Sequence, residues 1–472
     1  MDVTILRVIA ALLMVSVLGA AGAEPDVSAL EARPSPEWVE RGVIYQIQPR
    51  AFTPQGTLDA ATGRLARVAE LGVDIVYLCP VFVADEEADT DTWSPRQKAS
   101  KMNNPRNPYR MKDYYHVDPE YGTDNDLKGF IAQVHTLGMR VLLDMVYLHC
   151  GPNAVFLDEH PNFVKRDAEG EIITADWGFP AINFDNAQLR EYLLNNMEYW
   201  VEDFGADGFR CDVSDGVPLD FWATARERLA VIKPDICMLA EGRRREDQVK
   251  AFDLNYDFSW FATIRDVYEK GAAASSIREM AQKKAGERPR GARLMRYIDN
   301  HDIANDYYTN RLEKKWGPQR VETALLATFT IDGVPMLYNG QEAADAARHS
   351  IFGRAPIDWA NADTPEGEAR FEFCKGLCGM RHAERALTDG QVVWLENDRP
   401  EAVLSFLRRT SDEQILSVLN FTDSSIDVCI TFPESREGAW STLVGNGAKM
   451  DGDGSTCMLT LEAFGYLVAK YK

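Results

Sequence analysis

Short apolar runs at residues 43–48, 73–79, 139–147, 206–212, 235–240, 252–256, 293–299 and 334–338 alternate with stretches of helical periodicity such as 126–137 and 189–204. Strands buried on both faces read as near-continuous apolar runs, and strand–helix alternation is how a parallel sheet is built. Eight such units close into a (β/α)8 barrel, so the expected fold class is α/β, a TIM barrel. Two connections, 81–121 and 150–186, are too long for ordinary barrel loops. Both follow the carboxyl ends of strands, the face on which barrels carry their sites.

Past about residue 387 the pattern changes to short strand-like runs at 392–395, 402–408, 414–420, 426–432, 441–444, 458–461 and 465–471. Gly445-Asn446-Gly447 and Asp451-Gly452-Asp453-Gly454 read as turns between them. The expected organisation is a barrel over 24–386, with a loop-rich insertion at 150–186 after strand 3, and a C-terminal all-β sandwich domain over 387–472. A chain of 472 residues has room for both, since single cores stop growing near ~250–300 residues.

The formal net charge of −22 argues against nucleic acid and anionic membrane as partners. Residues 1–23 read as an export signal peptide: Arg7, an apolar run over 8–18, then Ala21-Gly22-Ala23 as a small-residue cleavage site. The expected location is therefore secreted or periplasmic. Of the eight cysteines, Cys79, Cys211 and Cys237 sit in apolar runs as buried thiols. Cys429 and Cys457 are the candidate disulfide pair. No cysteine–histidine cluster suggests zinc.

The chemistry is concentrated in two places. Gly208-Phe209-Arg210-Cys211-Asp212 puts an arginine and a carboxylate two positions apart, on the same face of a strand. Glu241 ends the next apolar run. A carboxylate beside a guanidinium stays ionised, and a second carboxyl on the neighbouring strand end can act as an acid. That pairing is the machinery of glycoside cleavage.

Four ordered segments extend the pattern: Asp144-Met145-Val146-Tyr147-Leu148-His149, Gly208–Asp212, Glu241 within Leu239-Ala240-Glu241-Gly242, and Asp299-Asn300-His301-Asp302. In these the chain resembles the α-amylase superfamily of glycoside hydrolases. The resemblance implies Asp212 as nucleophile, Glu241 as general acid and base, and Asp302 as the carboxylate that holds the distorted sugar. It implies His149, His301 and Tyr109 as contacts to that sugar. Arg210 would orient the nucleophile, with Asp144 as its structural partner. Retention requires the two reacting carboxyls about 5–5.5 Å apart.

Some residues keep two readings. Trp93 and Trp177 serve either as sugar platforms or as packing for the long loops. Tyr114, Tyr115 and Tyr121 lie near Tyr109 and compete with it for its role. Arg243, Arg244 and Arg245 would depress an acid's pKa, so they are expected to point away from Glu241 or to pair with Glu246 and Asp247. Asp89, Asp91, Asp451 and Asp453 read as solvated loop acids.

Two positions depart from the family. Its calcium ligands would fall on Leu148, Ala181 and Gly216, which offer no side-chain oxygen, so no cofactor or metal is expected. A lysine found three residues after the nucleophile in starch-cleaving relatives is Asp215 here. The resulting expectation is a retaining α-glycosidase acting on maltooligosaccharides or related neutral α-glucans. A transglycosylase with the same residues and a non-catalytic sugar-binding protein are the alternatives.

Overall fold

The computed structural model describes residues 25–306, 311–434, 438–451 and 455–471; the export-signal reading of 1–23 lies outside the described residues. Strands Ile44–Ile47, Ile75–Leu78, Arg140–Met145, Gly208–Cys211, Cys237–Ala240, Leu254–Tyr256, Arg293–Arg296 and Val334–Tyr338 close into one parallel barrel. Each falls inside the run expected for it. The first strand closes against the eighth in the register Ile44 to Met336. Apart from the half-buried Arg140 and Arg293 at strand starts, the barrel strands are buried. Helices cover the outside. In Asp124–Thr136, for example, Leu127, Phe130, Ile131 and Val134 form the buried stripe, and Thr123 with Asp126 makes a capping box.

The two long connections differ in kind. The 150–186 insertion is loop-rich, with isolated bridges such as Val164 to Ile182 and Thr174 to Pro180. The 81–121 excursion, expected to be loop, contains an antiparallel pair, Phe82–Glu86 with Arg106–Val117, and a short helix, Pro95–Ser100. The pairing is irregular, with three register shifts, and no clean alternation survives in the sequence.

After the helix Pro365–Ala383 the described residues form seven antiparallel strands, hydrogen-bonded as one network rather than as two separate sheets. The runs 458–461 and 465–471 are one strand, Thr456–Tyr471. It first pairs with Ile426–Thr431, then with Gln414–Asn420, and Phe464 (φ 52°) marks the change. Gly445-Asn446-Gly447 is no turn; it lies within strand Trp440–Asp451 at a register shift. Gly452, Asp453 and Gly454 lie outside the described residues.

Alternate residues of this sheet serve two cores. Leu404, Phe406, Ile415, Leu419 and Val468 pack onto the barrel, while Leu407, Leu416, Val418, Leu459 and Leu467 close a second core. Arg408 clasps the units together, donating to the carbonyls of Thr330, Ile331 and Gly390. The expected Cys429–Cys457 disulfide is not formed. Ile430 stands opposite Cys457 and Cys429 opposite Met458, so the two thiols face opposite sides of the sheet, and Cys429 is free.

Candidate active site

Adjacent strand ends build the centre. Asp144 pairs in register with Arg210, and Cys211 with Ala240, so Asp212 and Glu241 emerge level at the ends of the fourth and fifth strands, and Asp144 lies on the third strand beside Arg210. Close approach of the fourth and fifth requires Gly208: a Cβ there would lie 2.2 Å from the Cys237 carbonyl oxygen.

One guanidinium organises the three acids. Arg210 Nη1 donates to Asp144 Oδ1 at 2.6 Å and to Asp212 Oδ1 at 2.7 Å. Its Nη2 lies 2.8 Å from Glu241 Oε2, an ion pair without hydrogen-bond alignment. The Arg210 side chain is fully buried, flanked by the rings of Tyr77 at 5.8 Å and Tyr256 at 5.5 Å. Tyr77 also donates to Asp144 Oδ2 at 2.8 Å.

The balance of charge follows. Burial pushes all three carboxyls up and Arg210 pulls them down; Asp144 settles at about 6, Asp212 at about 7 and Glu241 at about 8. For Glu241, ionised Asp212 and Asp302 add to the rise. Arg210 donates a hydrogen bond to Asp212 but only faces Glu241, an arrangement that suits Asp212 as the carboxylate and Glu241 as the acid.

Across the mouth, burial works to raise Asp302, but the Arg96 guanidinium bonded to it holds its carboxyl below the ordinary range. Arg96 Nη2 is 2.7 Å from Asp302 Oδ1. Burial lowers both His149 and His301 to about 4, so both rings are neutral. The Gln46 amide donates to His301 Nδ1 at 2.8 Å, which leaves the proton on Nε2, 3.5 Å from Asp302 Oδ2. His149 Nε2 donates to the Tyr109 carbonyl at 2.9 Å, and its Nδ1 is buried without a hydrogen-bond partner. The Tyr109 ring stacks on His301 at 5.7 Å, and its hydroxyl lies 3.4 Å from Asp144.

The structure thus gathers Tyr109, Asp144, His149, Arg210, Asp212, Glu241, His301 and Asp302 at the carboxyl-terminal face of the barrel. The other tyrosines pack elsewhere: Tyr114 bonds the His149 carbonyl, Tyr115 the Tyr192 carbonyl, and Tyr121 is buried beside Arg50. Trp93 is a packing residue, its indole donating to the Glu87 carbonyl. Trp177 is exposed, 5.6 Å from the His149 ring, with φ 68°. Gln46, Tyr77, Arg96 and Tyr256 are site residues that sequence reasoning missed, each an isolated residue outside the four segments.

The three arginines after Glu241 are partnered elsewhere. Arg244 faces Asp247 at 3.7 Å, as expected. Arg245 faces Glu287 at 3.6 Å instead of Glu246 or Asp247, and Arg243 lies over the Phe258 ring at 4.7 Å. Asp215, in the place of a lysine, accepts from the backbone N–H groups of Arg243 and Arg244, so it braces the turn after Glu241.

The positions of the family's calcium ligands do not fit the ion. Ala181 bridges to His149, and a Cβ on Gly216 would lie 2.5 Å from Leu148 Cδ1, so a leucine side chain fills the space a ligand would use. Among the described residues no group of three or more His, Cys, Asp or Glu could hold a metal ion.

A closed parallel barrel whose strand ends carry two carboxyls on one buried guanidinium defines the glycoside-hydrolase class of TIM barrel. The alpha-amylase catalytic-domain profile matches residues 36–177 and 173–368, and the chain belongs to that family. An alpha-amylase of Haloarcula japonica is 28% identical over 464 residues, covering 93% of this chain, which spans 64% of that relative's length. The intracellular maltogenic amylase of Bacillus subtilis is 27% identical over 445 residues, 83% of this chain and 70% of that one. The crystal structure of a maltogenic alpha-amylase from Thermotoga neapolitana superposes with TM-score 0.78 at 26% identity, covering 92% of this chain and 99% of the other.

Proposed function

We propose that this protein is a retaining α-glucan hydrolase. Asp212 attacks the anomeric carbon while Glu241 protonates the leaving oxygen; the covalent glycosyl-enzyme is then released by water that Glu241 deprotonates. Asp302 and neutral His301 hold the sugar's hydroxyls, and Tyr109 covers its ring. The observation that carries this reading is the pair of carboxyls on Arg210, Asp212 hydrogen-bonded to the guanidinium and Glu241 beside it with its carboxyl raised by burial. The family membership and the maltogenic relatives support maltooligosaccharides as substrates. The chemistry needs no metal, and the leucine at the calcium position supports a calcium-free enzyme.

Incubation with α-1,4, α-1,6 and α,α-1,1 glucosides tests it. Water-dependent release of reducing sugar from the α-1,4 compounds is expected, abolished in Asp212→Asn with the fold intact. Longer chains from maltotriose in place of glucose mean transfer, and unchanged behaviour of Asp212→Asn removes Asp212 as nucleophile.

We also infer export, on the strength of the apolar run and small-residue site in 1–23, although the Bacillus subtilis relative is named intracellular. Fractionation of producing cells, with amino-terminal sequencing, decides it: a mature chain starting near Glu24 supports export, and an uncleaved chain in the cytoplasm refutes it.

A further inference from the structure

Asn255 lies on the sixth barrel strand, in register with Ala240, the residue before the acid. Its neighbour Tyr256 flanks Arg210 inside the barrel, so Asn255 faces the other way, where it is fully buried. A buried amide must find partners or cost stability. Both donors and the acceptor of this one are used. Its Nδ2 donates to the Gly242 carbonyl at 3.2 Å and to Asp247 Oδ2 at 2.6 Å, and its Oδ1 accepts from the Gln248 amide at 3.0 Å. Gln248 in turn accepts from the Arg293 N–H at 2.7 Å, which ties the group to the start of the seventh strand.

The contact to Gly242 bears on the acid directly. The backbone of Glu241 is set by the fourth strand and the turn after it: its N–H donates to the Cys211 carbonyl at 3.1 Å, and its carbonyl accepts from the Ser214 N–H at 3.0 Å. The next residue has to be glycine, since a Cβ there would lie 2.4 Å from Ser214 Oγ and 2.5 Å from Asp215 Oδ1. Glycine is the most permissive backbone and has no side chain to pack, so polar groups hold this turn. Asn255 takes the Gly242 carbonyl from the sixth strand. Asp215, following the fourth, takes the N–H groups of Arg243 at 2.7 Å and Arg244 at 3.2 Å. The Arg244 guanidinium donates back to the carbonyls of Asp215 and Val217.

At the tip of the acid, the Val213 N–H and Arg210 both meet Oε2. That leaves Oε1 for the leaving oxygen. With Oε2 anchored, the aim of Oε1 depends on where the turn places the Glu241 backbone.

We propose that Asn255 is a positioning residue for the acid, acting with Asp215 to fix the turn after Glu241 so that Glu241 Oε1 meets the leaving oxygen. This rests on the hydrolase reading above.

The test compares a leaving group that needs a proton with one that does not. Fluoride departs from α-maltosyl fluoride without general-acid help, whereas the glucose leaving maltotriose requires it. The quantity read is kcat/KM, which covers the steps up to the glycosyl-enzyme. In Asn255→Ala and in Asp215→Ala it should fall about 10–100-fold for maltotriose and change less than about threefold for the fluoride. Asp215→Asn, which keeps one acceptor, should fall between Asp215→Ala and the wild type. Should Asn255→Ala fail to fold, Asn255→Asp combined with Asp247→Asn preserves volume and the bond between those two side chains, removes the donor to Gly242, and should show the same contrast. Glu241→Gln gives the contrast for complete loss of the acid. Equal losses for the two substrates in the folded variants, or no loss for either, overturn the proposal, because packing damage does not distinguish leaving groups. Contrast in Glu241→Gln alone overturns this inference and leaves the hydrolase reading standing; no contrast in Glu241→Gln removes Glu241 as the acid, and this inference with it.

Discussion

The backbone N–H of Val213 donates to Glu241 Oε2 at 2.8 Å, so the residue that follows the nucleophile holds the acid in place. It does so from the left-handed region, φ 39° and ψ 49°, which a β-branched residue rarely occupies. Strain of this kind costs about 1–3 kcal/mol and persists where the surroundings fix it. Val213→Gly relieves the strain, so its melting temperature should equal or exceed that of the wild type while kcat falls as the turn loosens. A clear drop in melting temperature would show that the backbone is unstrained there.

Activity should follow a bell. The nucleophile must be ionised, so kcat falls as pH drops below about 7, and the acid must be protonated, so kcat falls as pH rises through about 8. Glu241→Gln should cost about 10²–10⁴-fold in kcat and abolish the alkaline limb. A pH–rate series on both proteins checks this; an alkaline limb that survives the substitution assigns it to another group.

Arg210→Leu leaves three buried carboxyls with no cation. Breaking a buried pair in this way costs about 3–5 kcal/mol. The sign with pH is fixed: the native carboxyls already bind protons more tightly than in the unfolded chain, and still more so without the guanidinium, so the variant's stability falls more steeply as pH rises above their unfolded values. Urea unfolding should therefore show a larger loss at pH 8 than at pH 5, and an equal loss at both would contradict the charge balance described here.

Trp177 offers an exposed aromatic face beside His149 from a strained backbone. Trp177→Ala should raise KM for maltooligosaccharides several-fold with little change for a short aryl glucoside. Equal effects on both would make it a packing residue of the insertion.

Removing divalent cations should leave the protein unmoved, because Leu148 fills the place of a calcium ligand. Calorimetry with and without EDTA should give the same melting temperature; a drop of several degrees would reveal a metal that this account lacks.

The barrel was legible because strands buried on both faces must be apolar throughout, and Val334–Tyr338 or Cys237–Ala240 cannot be otherwise. Arg106–Val117 was not, because a half-buried, bulged strand with Pro108, Lys112 and Asp113 satisfies no period. The break expected between 461 and 465 is a bend at Phe464, since turn-like residues also serve where one long strand changes partners. In the site, residues with a local motif were found, whereas Arg96 and Gln46 meet Asp302 and His301 only through the fold.

The account stands on Asp212 attacking one face of the sugar and water later entering by the same face. Proton NMR of the product in the first moments of hydrolysis reads this directly. The α-anomer is expected to appear first and then mutarotate; the β-anomer first would mean a single displacement by water and would contradict a glycosyl-enzyme on Asp212.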